Sequence, residues 1–127
     1  MARVLLLEPD TQLAKTYRMA LETSGHVVDT CTTAQAAIIS ADERKPDVVV
    51  MEMQLVAHSG VEFLYEFRSY ADWQPIPIII LTHVPASEFS GSRDLLRKDL
   101  GVRMYLYKPQ TSLKKLISSV NELVPVQ

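Results

Sequence analysis

Asp47-Val48-Val49-Val50-Met51-Glu52-Met53-Gln54 is the stretch on which the fold is decided. Val48 to Met51 are apolar without alternation, so both faces of this segment are expected to be buried. A central strand of a parallel sheet reads this way. The run ends in an acid, Glu52. Open α/β sheets place their ligand sites beyond the C-terminal ends of such strands.

Working outward, Arg3 to Leu7 is a second solid run, closed by Glu8-Pro9-Asp10. A helix follows from about Thr11, with Leu13, Tyr17 and Leu21 on one stripe, Asp10 or Thr11 as cap and Ser24-Gly25 as its end. Residues 26–31 make a less apolar strand, expected nearer an edge. Thr32 or Thr33 caps a second helix with a small-residue face of Ala34, Ala37, Ile38 and Ala41, and Lys45-Pro46 stops it. Ser59-Gly60-Val61-Glu62 has the capping-box pattern and starts a third helix, with Val61, Phe63, Leu64 and Phe67 inward. Residues 73–77 form a turn punctuated by proline. Ile78 to Leu81 is another β-branched run, ending at Thr82.

Residues 84–91 carry Pro85, Ser87, Ser90 and Gly91 and read as loop. A fourth helix is expected over 94–100, stopped by Gly101. Val102 to Tyr107 is a fifth strand before Lys108-Pro109. Thr111 or Ser112 caps a fifth helix with Leu113, Leu116, Ile117, Val120 and Leu123 on its stripe. Five strands alternating with five helices predict an α/β domain, a parallel sheet with helices on both faces. With no repeat or linker, residues 1–127 are expected to form a single domain.

Bulk properties narrow the function. The chain has 127 residues, 47% apolar and 22% charged, which suits one globular core. A net charge of −2 argues against nucleic-acid or anionic-membrane partners. One cysteine, Cys31, cannot close an internal disulfide. With no bilayer-spanning run and no secretory-type start, a cytoplasmic setting is expected.

The strand tips then supply chemistry. Strand one delivers Glu8 and nearby Asp10, strand three Glu52, strand four Thr82 and strand five Lys108. Clustered carboxylates suit a hard cation such as Mg²⁺, and a lysine with a hydroxyl suits phosphoryl oxygens. His58 and His83 lie near the same end without metal-ligand spacing and read as loop histidines. Trp73 reads as packing at a turn, Cys31 as a small buried hydrophobe.

The ordered set of acids after strand one, Glu52, Gly60 beyond it, Thr82 and Lys108-Pro109 resembles the receiver domain of two-component response regulators. The resemblance covers essentially the whole chain. It implies a flavodoxin-like, doubly wound five-stranded parallel sheet of order 2-1-3-4-5. It also implies a signalling module rather than an enzyme, acting in phosphorelay through a histidine kinase or a downstream signalling protein. The partner face would be helix four, strand five and helix five, and a homodimer is compatible with it. By the same resemblance, Thr82 and Tyr105 are the switch residues and Lys108 meets the phosphoryl group.

The departures point to altered chemistry. The family's acceptor at the end of strand three is aspartate; here it is Glu52. The second strand-one acid, a metal ligand in the family, is replaced by Pro9, and Val56 stands where a proline is common. The interval from Thr82 to Lys108 is also a few residues longer. A glutamate reaches one methylene further, into the space of the phosphoryl group, and phosphoryl transfer depends on positioning. The expectation is a divergent receiver with phosphorylation weak or lost, no bound cofactor, and Glu52 paired with Lys108. The alternative is an Mg²⁺-dependent acceptor, the ion drawing on Glu8, Asp10, Glu52 and Gln54. A small metal-dependent phosphatase, suggested by Glu8-x-Asp10, ranks behind both. A flavodoxin-like cofactor carrier ranks last, because residues 9–16 lack a phosphate loop. Without an effector domain, the chain acts through another molecule or is part of a longer protein.

Overall fold

A computed structural model describes residues 2–124; the ends of the expected 1–127 span, residues 1 and 125–127, lie outside the described residues. The apolar runs become β1 (Arg3–Leu7), β2 (Val27–Cys31), β3 (Val48–Met51), β4 (Ile78–Thr82) and β5 (Val102–Tyr107). All pair in parallel, in the order β2-β1-β3-β4-β5. Four α-helices connect or follow them: α1 (Thr11–Thr23), α2 (Ala34–Glu43), α3 (Gly60–Ser69) and α4 (Leu113–Leu123).

The unbroken apolar character of β3 has a direct cause. Val49 and Met51 pack with Leu5, Leu7, Ile78 and Ile80 against α2 and α3. Val48 and Val50 pack with Val4, Leu6, Ile79 and Leu81 against α1 and α4. Successive side chains alternate between two cores, so no position faces water. Each of the four β3 side chains is 0% exposed, worth about 1.5–3 kcal/mol apiece by transfer.

Side-chain caps set the helix starts. Asp10 accepts from the Gln12 and Leu13 N–H groups, Thr33 from Ala36, and Ser112 from Lys115. At α3, Ser59 and Glu62 exchange both bonds of the capping box. Gly60 is needed at that turn, since a Cβ there would lie 2.7 Å from Met53 Cα. Ala57, in the loop before it, takes φ 68°, a left-handed value that costs a residue with a Cβ about 1–2 kcal/mol.

The fourth crossover differs from expectation. Instead of an α-helix over 94–100, a 3₁₀ segment (Ala86–Ser92) leads into a π-helical turn (Leu95–Asp99). Phe89 breaks the first piece at φ −111°, ψ 17°. In the second, Leu100 N–H reaches back to Leu95 O over 3.0 Å. Pro85, Ser87 and Gly91 lower helical propensity here, and the extra residue in the turn is accommodated by the wider π geometry. Leu113 also departs from its expected inward position. It is 41% exposed, lining a surface hollow with Thr16, Met19 and Ala20 of α1.

A second structural centre is a buried arginine. Arg68, at the end of α3, donates to the carbonyls of Leu100, Trp73, Gln74, Ile76 and Gly101 over 2.5–3.4 Å. One guanidinium thereby ties the turn before β4 to the turn before β5. Burial, with Arg103 adding like-charge repulsion, lowers its pKa from the ordinary value. Gly101 sits against it at φ +70°, where a Cβ would collide with the guanidinium. Gly101→Ala is therefore expected to destabilise by about 3 kcal/mol, combining backbone strain with overpacking. Urea denaturation would detect this as a lower midpoint with an unchanged slope.

Candidate functional site

The parallel register brings the strand tips into one line. Met51 lies across from Leu7 on one side and Ile80 on the other, and Thr82 lies across from Tyr107. Glu8, Glu52 and Lys108 each follow directly after their strands. The ladder continues one step beyond β1 and β3, as Glu8 N–H donates to Cys31 O at 2.9 Å and Glu52 N–H to Leu7 O at 3.0 Å. Both carboxylates therefore leave the sheet in fixed positions.

Lys108 Nζ sits between them, 2.6 Å from Glu8 Oε1 and 2.7 Å from Glu52 Oε1. These side chains are nearly sealed from solvent, Lys108 6% exposed and the acids 4% and 5%. The outer oxygens are occupied too. Glu8 Oε2 accepts from Asp10 N–H at 3.1 Å and Glu52 Oε2 from Gln54 N–H at 3.0 Å. The Thr82 hydroxyl also donates to Glu52 Oε2. Among the described residues, no buried side-chain nitrogen or oxygen lacks a partner.

The electrostatics follow from this enclosure. Burial alone would raise the Glu52 pKa, but hydrogen bonds from Lys108, Thr82 and Gln54 outweigh it and hold the carboxyl below its ordinary value. Burial alone would lower Lys108, but its bonds to Glu52 and Glu8 outweigh that and raise it. Both groups stay charged over the neutral range.

A hydrogen-bonded relay leads out of the pocket. Thr82 Oγ1 accepts from Val84 N–H at 3.2 Å, and Val84 O accepts from the Tyr105 hydroxyl at 2.6 Å. Burial, with the charges of Glu52 and Glu88, pushes the Tyr105 pKa up to about 12. The phenol thus stays protonated and acts as a donor.

The remaining candidates sit elsewhere. Asp10 is exposed, and its carboxylate is spent on capping α1, so only its backbone N–H reaches Glu8. Gln54 also contributes a backbone N–H, its side chain being exposed. His83 is exposed. His58 faces Glu62 at 3.6 Å on the surface. Cys31 is buried, and Trp73 packs on Phe67 and Tyr70. Sequence reasoning missed the Val84 link, which is pure backbone and leaves no residue signature. It also missed Arg68, whose only signal is a charge beside the inward Phe67. His26, buried with Nε2 at 2.7 Å from Asn121 Oδ1 and Nδ1 accepting from Ala2 N–H, was overlooked as well.

The residues present do not fit a divalent cation as arranged. The inner oxygens of Glu8 and Glu52 are held by an ammonium, Pro9 has no side-chain ligand, and the Asp10 carboxylate is turned to a helix. Among the described residues, no group of three or more His, Cys, Asp or Glu side chains is placed to hold a metal ion.

A doubly wound sheet whose tips converge an acid pair, a threonine and a lysine defines a receiver-type signalling module. The profile of the response regulator receiver domain matches residues 4–121, and the chain belongs to that family. The KDP operon transcriptional regulatory protein KdpE of Escherichia coli K12 is 30% identical over 109 residues, 86% of this chain and 45% of that protein. The probable C4-dicarboxylate response regulator DctR of Halalkalibacterium halodurans is 30% identical over 125 residues, 95% of this chain and 52% of that protein. The chain spans about half the length of these curated relatives. Among solved structures, the chemotaxis response regulator CheY4 of Vibrio cholerae superposes with a TM-score of 0.85 at 22% identity, covering 98% of this chain and 99% of that one. A sensor protein from Polaromonas sp. JS666 gives 0.83 at 23%, covering 95% and 94%. At these identities the likeness is one of fold. Receiver domains serve two-component signalling, generally as non-enzymatic modules that meet histidine kinases and downstream effectors. No helix among the described residues is long and apolar enough to cross a membrane.

The ion triad has a testable pH signature. Glu52 contributes stability in full above the ordinary glutamate value of 4.5, lost as pH falls through its depressed value. Lys108 contributes below 10.5, lost as pH rises through its raised value. Lys108→Met leaves two buried carboxylates without their cation and is expected to cost about 3–5 kcal/mol at pH 7. Protonation of one acid relieves that cost, so the gap to the parent narrows as pH falls. Denaturant midpoints of both proteins between pH 7 and 4 check the sign.

Proposed function

We propose that this is a divergent receiver domain that signals by protein contact, with phosphorylation weak or absent and Glu52 holding the switch in one state. The observation carrying this reading is the position of Glu52 in the relay. Its carboxylate bonds Lys108 with one oxygen and Thr82 with the other. In-line attack on a phosphoryl donor would require it to leave both. It would also require a cation where Lys108 already neutralises the acids, and such chemistry rests on positioning and charge neutralisation.

The same carboxylate draws Thr82 inward, and Thr82, through Val84, holds Tyr105 by its hydroxyl. A hydrogen bond to a charged group is worth about 2 kcal/mol, roughly thirtyfold in the balance between two conformations. That bias suffices to make one conformation dominant without any added group. The face built from the 86–99 segment, β5 and α4 is the proposed contact surface for a kinase or a downstream protein.

Incubation with acetyl phosphate and Mg²⁺, read by intact mass, is expected to leave the parent without a phosphoryl adduct. Stoichiometric addition mapped to residue 52 would overturn the proposal and favour the Mg²⁺-dependent acceptor. Glu52→Gln is expected to loosen Thr82 and release Tyr105 into a mixture of rotamers. Tyr105 and Val84 resonances would report it, and identical spectra in parent and variant would show that Glu52 does not set the state.

A further inference from the structure

In a chain of net charge −2, four cations collect on one face. Arg93, Arg97 and Arg103 line a recess of about 460 Å³, whose other walls include Phe89, Leu96 and Tyr105. Lys98 joins Arg97 and Arg103 in the hollow beside it. Arg93, Arg97, Lys98 and Arg103 are all exposed. None is within ion-pair distance of a carboxylate among the described residues. The nearby acids are Asp94, which lines the adjoining hollow, Asp99, which shares a further hollow with Lys98, and Glu88, which acts on Tyr105. The recess itself is lined by no acid.

Its interior is apolar where its rim is basic. Leu96 is 5% exposed, and Phe89 tilts against Tyr105 with ring centroids 6.1 Å apart. A site of this make-up suits a ligand with an apolar group for the slot and anionic groups for the rim. Guanidiniums favour carboxylates and phosphates through paired N–H donors. The choice between these rests on three observations. The floor offers the half-buried rings of only two aromatic residues, too few to stack successive bases, the cations border a slot rather than form a track, and the chain as a whole repels polyanions.

We infer that this recess binds a short acidic segment of a partner protein, with carboxylates on Arg93, Arg97 and Arg103 and one leucine- or phenylalanine-sized side chain in the slot. The inference rests on the proposed protein-contact function and gives the contact its chemistry. Tyr105 belongs both to the slot and to the relay from Glu52, so the state of the pocket sets the shape of the slot. The cations themselves lie outside the relay.

The probe is a labelled dodecapeptide, Asp-Glu-Leu-Glu-Asp-Leu-Phe-Glu-Glu-Leu-Asp-Glu, titrated into the ¹⁵N-labelled chain at low salt. Amide shifts are expected to cluster on residues 86–97 and 102–105. Charge reversal in Arg97→Glu or Arg103→Glu is expected to weaken binding about tenfold each, with the melting temperature unchanged. The same peptide with serine for every Leu and Phe is expected to bind at least tenfold more weakly, and added salt to weaken both. Several results would overturn the inference: no binding at millimolar peptide, shifts centred elsewhere, or indifference to the arginine variants. Equal affinity for the serine peptide or for an oligonucleotide of matched charge would do the same. So would sedimentation showing that the patch instead joins two copies of the chain. A phosphoryl adduct at residue 52 would end the proposed locked state yet leave each of these comparisons readable. Loss of peptide binding without an adduct would end this inference alone.

Discussion

An ammonium held between two carboxylates, away from water, is the constraint on which the functional end of this protein depends. Each charge is costly to bury alone, and the arrangement is tolerable only because every oxygen has a partner. Lys108 closes the gap between β1 and β3, although it arrives from β5 at the far edge of the sheet. The sheet register must therefore hold across four strands for the triad to form. In turn, the triad holds the strand tips together where the ladder ends.

The extra methylene of Glu52 gives this pocket its character. A carboxylate of that reach spans from the lysine to Thr82, so a single side chain joins charge pairing to the Thr82 hydroxyl. From there the path to Tyr105 is made of one backbone amide and its own carbonyl. A shift of Thr82 would have to move Val84 or break its bond. The tyrosine at its end stays a donor well beyond neutral pH, so the path has no titrating link in the ordinary range.

Surrounding elements divide into regular and irregular parts. The β-strands and the caps of α1, α2, α3 and α4 are fully specified by local chemistry. Arg68 does comparable work for two turns by satisfying five carbonyls from one buried head group. Between β4 and β5 the two ends are held by Tyr105 and Arg68, while the middle runs through 3₁₀ and π geometry with a break at Phe89. This irregular segment forms one wall of the basic recess, beside the strand that carries Tyr105. The part of the fold with the weakest local rules thus borders the surface assigned to partners.

Much of this protein was legible from residue order alone. Unbroken apolar runs announced buried parallel strands, because alternation disappears when both faces are covered. Asp10, Thr33, Ser59 and Ser112 announced helix starts, because unpaired N–H groups there demand an acceptor. Glu8, Glu52, Thr82 and Lys108 could be named as strand-tip residues for the same reason. The Glu52–Lys108 pair was expected too, but not that Glu8 would share the same ammonium, since that depends on register across non-adjacent strands. Nor could the carbonyl of Val84, the guanidinium of Arg68 or the π turn after Asp94 be read in advance. Those depend on where backbone groups end up once the chain has closed on itself, and backbone groups are the same in every residue. Local pattern determined the elements and their ends; only tertiary packing decided which polar atoms would meet.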